Sequence, residues 1–300
     1  MKRLIICCDG TWNHLEMKQP TNVVAVAQNL KLKDESDPDN PILQLSYYDE
    51  GVGTTSGNFL TEFAEKYIGG GLGFGLDHNV RQAYRFLANN YEDGDEIYCF
   101  GFSRGAYTIR SLAGLLNFAG LLSRQQLVHI FEAYELYREE KRANSAAAEA
   151  FRATHGSVPP AIKFMGCWDT VGALGLPNKI PGVNIDDKFN ERFRFIDNHI
   201  SPYVMNARHA VAIDEVRKEF DVTLMASPAN PRALQELWFA GDHGCAGGGT
   251  VNKVPLSNIA LEWLCRVAEN IGLAFHDNFF TQIKHKQNPF AYYEYSRSAI

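Results

Sequence analysis

The sequence predicts an α/β fold: a mostly parallel sheet covered by helices on both faces, in one domain spanning residues 1–300. Two observations carry this. Five short apolar runs are each followed by a small polar cluster, and helical patterns separate them. The polar clusters fall where the strands should end, on the sheet edge where such folds bind ligands.

Taken in order, Leu4–Cys8 is the first run and ends in Asp9-Gly10-Thr11. It is too short for the apolar core of a signal peptide and stops at an acidic turn, so it reads as a strand. Val23–Leu30 has helical spacing. Ile42–Tyr48 is the second run, closed by Asp49-Glu50-Gly51. The glycine-rich stretch 69–75 leads into a helix over Leu76–Asn89. It fits no G-x-G-x-x-G register and carries no Gly-Lys-Ser/Thr, which argues against a nucleotide loop. Ile97–Phe100 follows the turn Glu92-Asp93-Gly94-Asp95 and ends in Gly101-Phe102-Ser103. Arg104–Phe118 is then helical, with apolar residues at 106, 109, 113 and 116.

Gln125–Arg142 and Ala146–Ala153 are helical and charged. They form an insertion over about 125–160, expected as a cap. Its stripe of Leu127, Ile130, Phe131, Tyr134 and Tyr137 either packs the insertion onto the core or borders an apolar pocket. Ile162–Trp168 is the fourth run, ending in Asp169-Thr170. The long stretch 168–198 reads as an ordered loop over the site. Pro202–Ala212 is expected to be helical. Leu237–Ala240 is the fifth run, ending in Gly241-Asp242-His243, and Leu256–Ile271 closes the chain as a helix.

Composition narrows the function. The 300 residues are 45% hydrophobic with a net charge of −6. A chain of this length buries about three quarters of its unfolded surface. Nothing in the charge points to nucleic acid. No run approaches the roughly 18 apolar residues of a membrane span. The six cysteines form no C-x-x-C pair, which speaks against zinc fingers and a disulfide framework, and a reducing, cytoplasmic setting is the expectation. Export without a cleaved signal remains compatible with it.

The chemistry centres on Gly101-Phe102-Ser103-Arg104-Gly105, a G-x-S-x-G between a strand and a helix. That context suits a nucleophile elbow: small residues permit the tight turn, which lifts the serine hydroxyl out of the sheet. The amide of Arg104 then faces an oxyanion from the helix N-terminus. An activated serine needs a base and an orienting acid. Asp169 and His243 supply them, each at a predicted strand end, in the order Ser, Asp, His. Asp169 also reads as a helix N-cap, and His243 as a polar loop residue.

Gly10 or Thr11 is the expected second oxyanion donor, with Asp9 bracing their turn. Asp-Gly-Thr also suits an aspartate-nucleophile phosphatase, but Cys7 stands where that nucleophile would be. His209 is the alternative base, read as a buried helical histidine, and Cys245 an alternative nucleophile without an elbow. A second chemistry would set Asp9, Asp49, Glu50 and Asp242 around a metal for phosphoester hydrolysis, and a third reading is a non-catalytic binding protein.

Six motifs extend the pattern: Cys7-Cys8-Asp9-Gly10-Thr11-Trp12-Asn13, Tyr47–Thr54, Gly101–Ala106, Gly166–Gly172, Arg208–Glu215, and Trp238–His243 with Gly247-Gly248-Gly249. In these the chain resembles an α/β-hydrolase family of long-uncharacterised function that includes the first class of type VI secretion lipase effectors. The resemblance implies an α/β-hydrolase fold, Ser103, Asp169 and His243 as a triad, no cofactor and no metal. It implies carboxylic ester substrates, with phospholipids those of the effector branch, and hence contact with a membrane surface. Cys245 departs from it, standing where the family commonly has an aspartate.

Overall fold

The computed structural model describes residues 1–10, 13–51, 71–172 except 141–142, 199–226 and 233–294. Seven strands form one sheet in the order β2-β3-β1-β4-β5-β6-β7. They are β1 (Arg3–Cys8), β2 (Lys33–Asp34), β3 (Ile42–Asp49), β4 (Glu96–Phe102), β5 (Ile162–Trp168), β6 (Ala207–Ala212) and β7 (Leu234–Phe239). All neighbours are parallel except β2 and β3. This is the α/β-hydrolase-like architecture that the sequence predicts.

Parallel strands buried on both faces should be apolar throughout. Leu4, Ile6 and Cys8 of β1 join Ile97, Cys99, Met165 and Cys167 in one buried core. Ile5, Cys7, Tyr98, Phe100, Phe164 and Trp168 belong to the other. The period of two thus sorts a continuous apolar run into two cores, one per face. Helices α2 (Gly71–Asn90) and α3 (Arg104–Ala119) cover the first. Helices α1 (Asn22–Asn29) and α7 (Val254–Asn270) cover the second. All six cysteines are buried and unpaired within these layers or beside them.

Register aligns the strand ends. Cys8 stands opposite both Asp49 and Gly101. Phe102 stands opposite Trp168, and Trp168 opposite Ala210. The residues that follow, Asp9, Ser103 and Asp169, therefore emerge on one edge.

The insertion comprises a 3-10 turn (Arg124–His129), α4 (Ile130–Glu140) and α5 (Ala146–His155). Of the expected stripe, Ile130, Tyr134 and Tyr137 are buried in the core and Leu127 packs on it, while Phe131 stays exposed beneath the Arg81 guanidinium. Tyr134 donates to Asp77 Oδ1 at 2.6 Å, tying α4 to α2. The stripe packs the insertion onto the core.

Two short helices complete the chain: α6 (His243–Gly247) and α8 (Phe279–His285). Neither is expected from the sequence, nor is β2. The expected helix over Pro202–Ala212 is corrected by β6. The strand is only six residues long, with Arg208 and His209 among its alanines and Val211, and it lies between β5 and β7; it is too short for periodicity to separate a buried strand from a helix. β7 also begins three residues before the predicted Leu237. No helix among the described residues is long and apolar enough to cross a membrane.

One crossing sets the spacing of the central layers. A Cβ added at Gly105, in the first turn of α3, would land on the carbonyl of Cys8 at the end of β1, backbone against backbone. Gly105→Ala is therefore expected to cost about 3 kcal/mol or more, since neither partner can rotate away. Thermal unfolding of the purified variant measures it; an unchanged midpoint would mean that the helix does not lie this close.

Candidate active site

Ser103 sits between β4 and α3 with φ 56° and ψ −121°. A non-glycine residue rarely adopts this region, and a nucleophile elbow requires it. Neighbours hold the turn. Ser103 N–H donates to Trp168 O at 3.0 Å, and Val171 N–H donates to Ser103 O at 3.4 Å. Gly101 must be small, because a Cβ there would come within 2.6 Å of Gly105 O. A Cβ at Gly10 would stand 3.1 Å from that of Ser103, so the turn after β1 lies against the serine. The amide of Arg104 opens the 16-residue helix α3, where the helix dipole favours negative charge.

Asp169 also has a positive φ, 39°, and is fully buried. Its backbone N–H donates to Ala210 O at 2.8 Å. Oδ1 accepts from Ala212 N–H at 2.9 Å, and Oδ2 lies 2.6 Å from His243 Nδ1. An ionised carboxylate only accepts, so Nδ1 carries the proton and Nε2 is left as the basic nitrogen.

The imidazole of His243 packs against two tilted phenyl rings, Phe102 at 4.5 Å and Phe220 at 4.7 Å between centroids. Its backbone N–H donates to Glu215 Oε2 at 3.1 Å. Burial alone would raise the Glu215 carboxyl, but hydrogen bonds from Arg217 and from the His243 amide outweigh it and hold it at about 2. A charged carboxylate thus anchors the start of α6.

Asp169 and His243 are in direct contact, and Ser103 directly follows the phenylalanine that stacks on the imidazole. Among the described residues, the Ser103 hydroxyl makes no hydrogen bond to His243. A looser serine contact is common in unliganded sites.

His209 is the other histidine at this edge. It lies on β6, fully buried, and its ring is occupied on both sides. Nδ1 lies 2.7 Å from Glu236 Oε1, and Nε2 accepts from Thr170 N–H at 3.1 Å. Burial lowers its pKa, so it is a neutral brace for the turn that carries Asp169.

The turn after β1 has its own network. Asp9 is buried; Oδ2 accepts from Thr21 Oγ1 at 2.6 Å and from Tyr48 OH at 2.9 Å. Oδ1 accepts from Gly10 N–H at 2.7 Å, so that amide already has a partner. Thr11 lies outside the described residues. Burial raises Asp9 to about 6 against the pull of these hydrogen bonds.

The four acids of the metal reading do not converge on one point. Asp242 caps α6 through Cys245 N–H and holds a buried ion pair with Lys253 Nζ at 2.6 Å. Asp49 accepts from Tyr47 OH at 3.2 Å and is raised to about 7 by burial. Among the described residues, these acids bring no three ligand atoms within 4.8 Å of one another. Cys245 is buried, with its thiol pushed up to about 12 by burial, the wrong direction for a nucleophile. The glycines after it are steric: a Cβ at Gly247 would run into the ring of Phe102. Phe220 and Glu236 contribute to this architecture without any motif in the sequence to mark them, and Glu215 is the last residue of the Arg208–Glu215 motif, which assigns it no role.

A family model described as "T6SS, Phospholipase effector Tle1-like, catalytic domain" matches residues 2–267. An uncharacterized protein of Saccharomyces cerevisiae is 29% identical over 236 residues, 73% of this chain and 32% of that one. Among solved structures, an uncharacterized protein from Pseudomonas aeruginosa superposes with a TM-score of 0.50 at 16% identity. The match covers 95% of this chain and 48% of that one. The Tle1 effector bound to the VgrG spike of the type 6 secretion system gives a TM-score of 0.42 at 16% identity, over 84% of this chain and 52% of that one. The chain therefore spans about a third of the yeast relative's length and about half of each solved chain's.

Two stability measurements check this geometry. His209→Ala would leave Glu236 and the Thr170 amide without their shared partner, at an expected cost of about 2–4 kcal/mol in urea unfolding; a neutral result would mean that the brace is dispensable. Asp9, with its folded pKa raised from 3.8 to about 6, favours the folded state fully below pH 3.8 and loses that contribution as pH rises through 6. The size is about 3 kcal/mol. Asn at position 9 does not titrate, so the unfolding free energy of Asp9→Asn should fall less than that of the parent protein between pH 4 and 7, by about that amount, while the share from Asp49, itself raised to about 7, remains. Parallel pH profiles for the two proteins would contradict the raised carboxyl.

Proposed function

The chain belongs to the Tle1-like catalytic-domain family of type VI secretion phospholipase effectors, and on that premise we propose that it is a serine hydrolase cleaving carboxylic esters, with lipid esters as its substrate class. The observation that carries the reading is the 2.6 Å contact between Asp169 and His243 Nδ1, beside a serine held at positive φ between strand and helix. Family membership supports hydrolysis. The geometry at Ser103, Asp169 and His243 supports the triad, and the phospholipase description of the family supports the ester substrate.

In this reading Ser103 Oγ attacks the ester carbonyl while His243 Nε2 takes its proton. Charge on the carbonyl oxygen develops at the N-terminus of α3, where the Arg104 amide donates to it. A second donor comes from the turn at Gly10 and Thr11, whose Gly10 amide would have to leave Asp9. The tetrahedral intermediate collapses as His243 protonates the leaving alkoxide, giving an acyl-Ser103 and a free alcohol. Water, deprotonated by His243, then releases the carboxylic acid. Asp169 holds the Nδ1–H tautomer and stabilises the imidazolium in both halves. The two phenyl rings keep the imidazole in one plane and exclude water from its faces, which strengthens the ion pair with Asp169.

A fluorophosphonate probe tests the reading directly. It should label the parent protein at Ser103 and fail to label Ser103→Ala, whose ester turnover should fall by about 10⁴-fold or more. Asp169→Asn should fall by about 10⁴-fold with its fold retained, through the wrong imidazole tautomer. Turnover persisting in Ser103→Ala would remove the serine from the mechanism. Absence of labelling and of turnover in the parent protein would leave the non-catalytic binding reading.

A further inference from the structure

Three potential metal ligands converge far from Ser103, at the opposite edge of the sheet. His129 ends the 3-10 turn, Glu132 lies in the first turn of α4, and His155 ends α5. Each offers one ligand atom, and the three atoms lie within 4.8 Å of one another. The edge follows from the connections: α3 runs from Ser103 to Ala119, the 3-10 turn begins at Arg124, and His155 precedes the start of β5 at Ile162. An open cavity of about 700 Å³ borders the group, lined among others by His155, Gln126, Tyr91 and Glu92, the last two in the connection before β4.

We propose that His129, Glu132 and His155 form a structural binding site for a divalent transition metal, with zinc the best-fitting ion. The donor set argues for this class. Two imidazoles and one carboxylate suit zinc, whereas calcium and magnesium prefer oxygen shells. The arrangement is partly built. His129 Nδ1 already lies 3.2 Å from Glu132 Oε2. The His129 and His155 rings are 4.4 Å apart between centroids, and the Phe151 ring also packs at 4.4 Å on His155. Gln126 Nε2 donates to His155 O at 2.9 Å and fixes the end of α5. In a tetrahedral site, bond lengths of about 2.0–2.1 Å place ligand atoms roughly 3.3 Å apart. Side-chain rotation of two half-buried imidazoles and one exposed carboxylate covers the difference. The fourth position opens to solvent, so water completes the shell.

The metal would join two points of the chain 26 residues apart and clamp the α4–α5 hairpin at its base. It stands apart from the nucleophile, so it is structural. Chelation should lower stability and leave ester turnover in place, which separates this site from any metal-dependent hydrolysis at the other edge.

The test uses the full chain, stripped with a chelator and titrated with zinc chloride by calorimetry. One ion per chain is expected, with a melting temperature about 5 °C higher at a zinc excess of roughly 100-fold over Kd. Cobalt in place of zinc should give the intense visible absorption of a four-coordinate site. His155→Ala should weaken zinc binding by about 100-fold or more. His129→Ala, in the 3-10 turn rather than in α5, should do the same if His155→Ala fails to fold. Absence of saturable binding in the stripped parent protein would reduce the cluster to a surface His–Glu pair and overturn the site, as would binding unchanged in both variants.

Discussion

The first turn of α3 lies against the end of β1 with no room for a methyl group at Gly105, and much of the candidate site depends on that contact. A helix that close can start only one residue after its strand stops. The residue between them is Ser103, forced into a backbone region that strands and helices both avoid. Its amide and carbonyl are tied to the turn after β5, so the position of Asp169 follows from the same packing. Asp169 then places His243. The edge is thus one mechanical unit, in which a change in helix–strand spacing would move every group of the site together.

The same edge concentrates buried carboxylates, and each is satisfied by a different chemistry. Asp9 takes two hydroxyls and one amide, Asp169 takes an imidazole and one amide, and Asp242 takes an ammonium and one amide. Burying a charge without such partners would cost several kcal/mol. The partners come from α1, β3, β6, α6 and the turn before α7, so the polar network ties the helical layer of α1 and α7 to the strand ends. Asp9 has only neutral donors around it, and burial raises its carboxyl against their pull.

Much of this was legible in the sequence. Strands β1, β4 and β5 follow from apolar runs bounded by turns, because a strand buried on both faces has few other compositions, and the more exposed β3 follows from its run closed by Asp49-Glu50-Gly51. The elbow follows from glycines whose absence of Cβ is needed at both flanks. The pairing of Asp169 with His243 follows from their places at strand ends. What stayed hidden has physical reasons. β6 is six residues, three alanines and Val211 with Arg208 and His209 among them, equally suited to a buried helix. Helix α6 is five residues and starts on His243 itself, so no periodicity announces it. Glu215 and Phe220 reach His243 across 28 and 23 residues of chain, and only the folded backbone brings them there. The cluster of His129, Glu132 and His155 escapes the spacing rules for zinc for the same reason, since His155 arrives from a second helix.

Ser103 and Asp169 are the two non-glycine residues with positive φ among those described. Glycine would occupy either place with less backbone strain, at a saving on the order of 1 kcal/mol for each. At these two positions the backbone is therefore less stable than another residue could make it. Selection of this protein for thermal tolerance alone would erode Ser103 before most other buried positions, because there the stabilising change and the loss of the hydroxyl are the same substitution. A relative that carried glycine at the elbow would then be read as one in which the demand for a reactive group had lapsed while the demand for the fold had not.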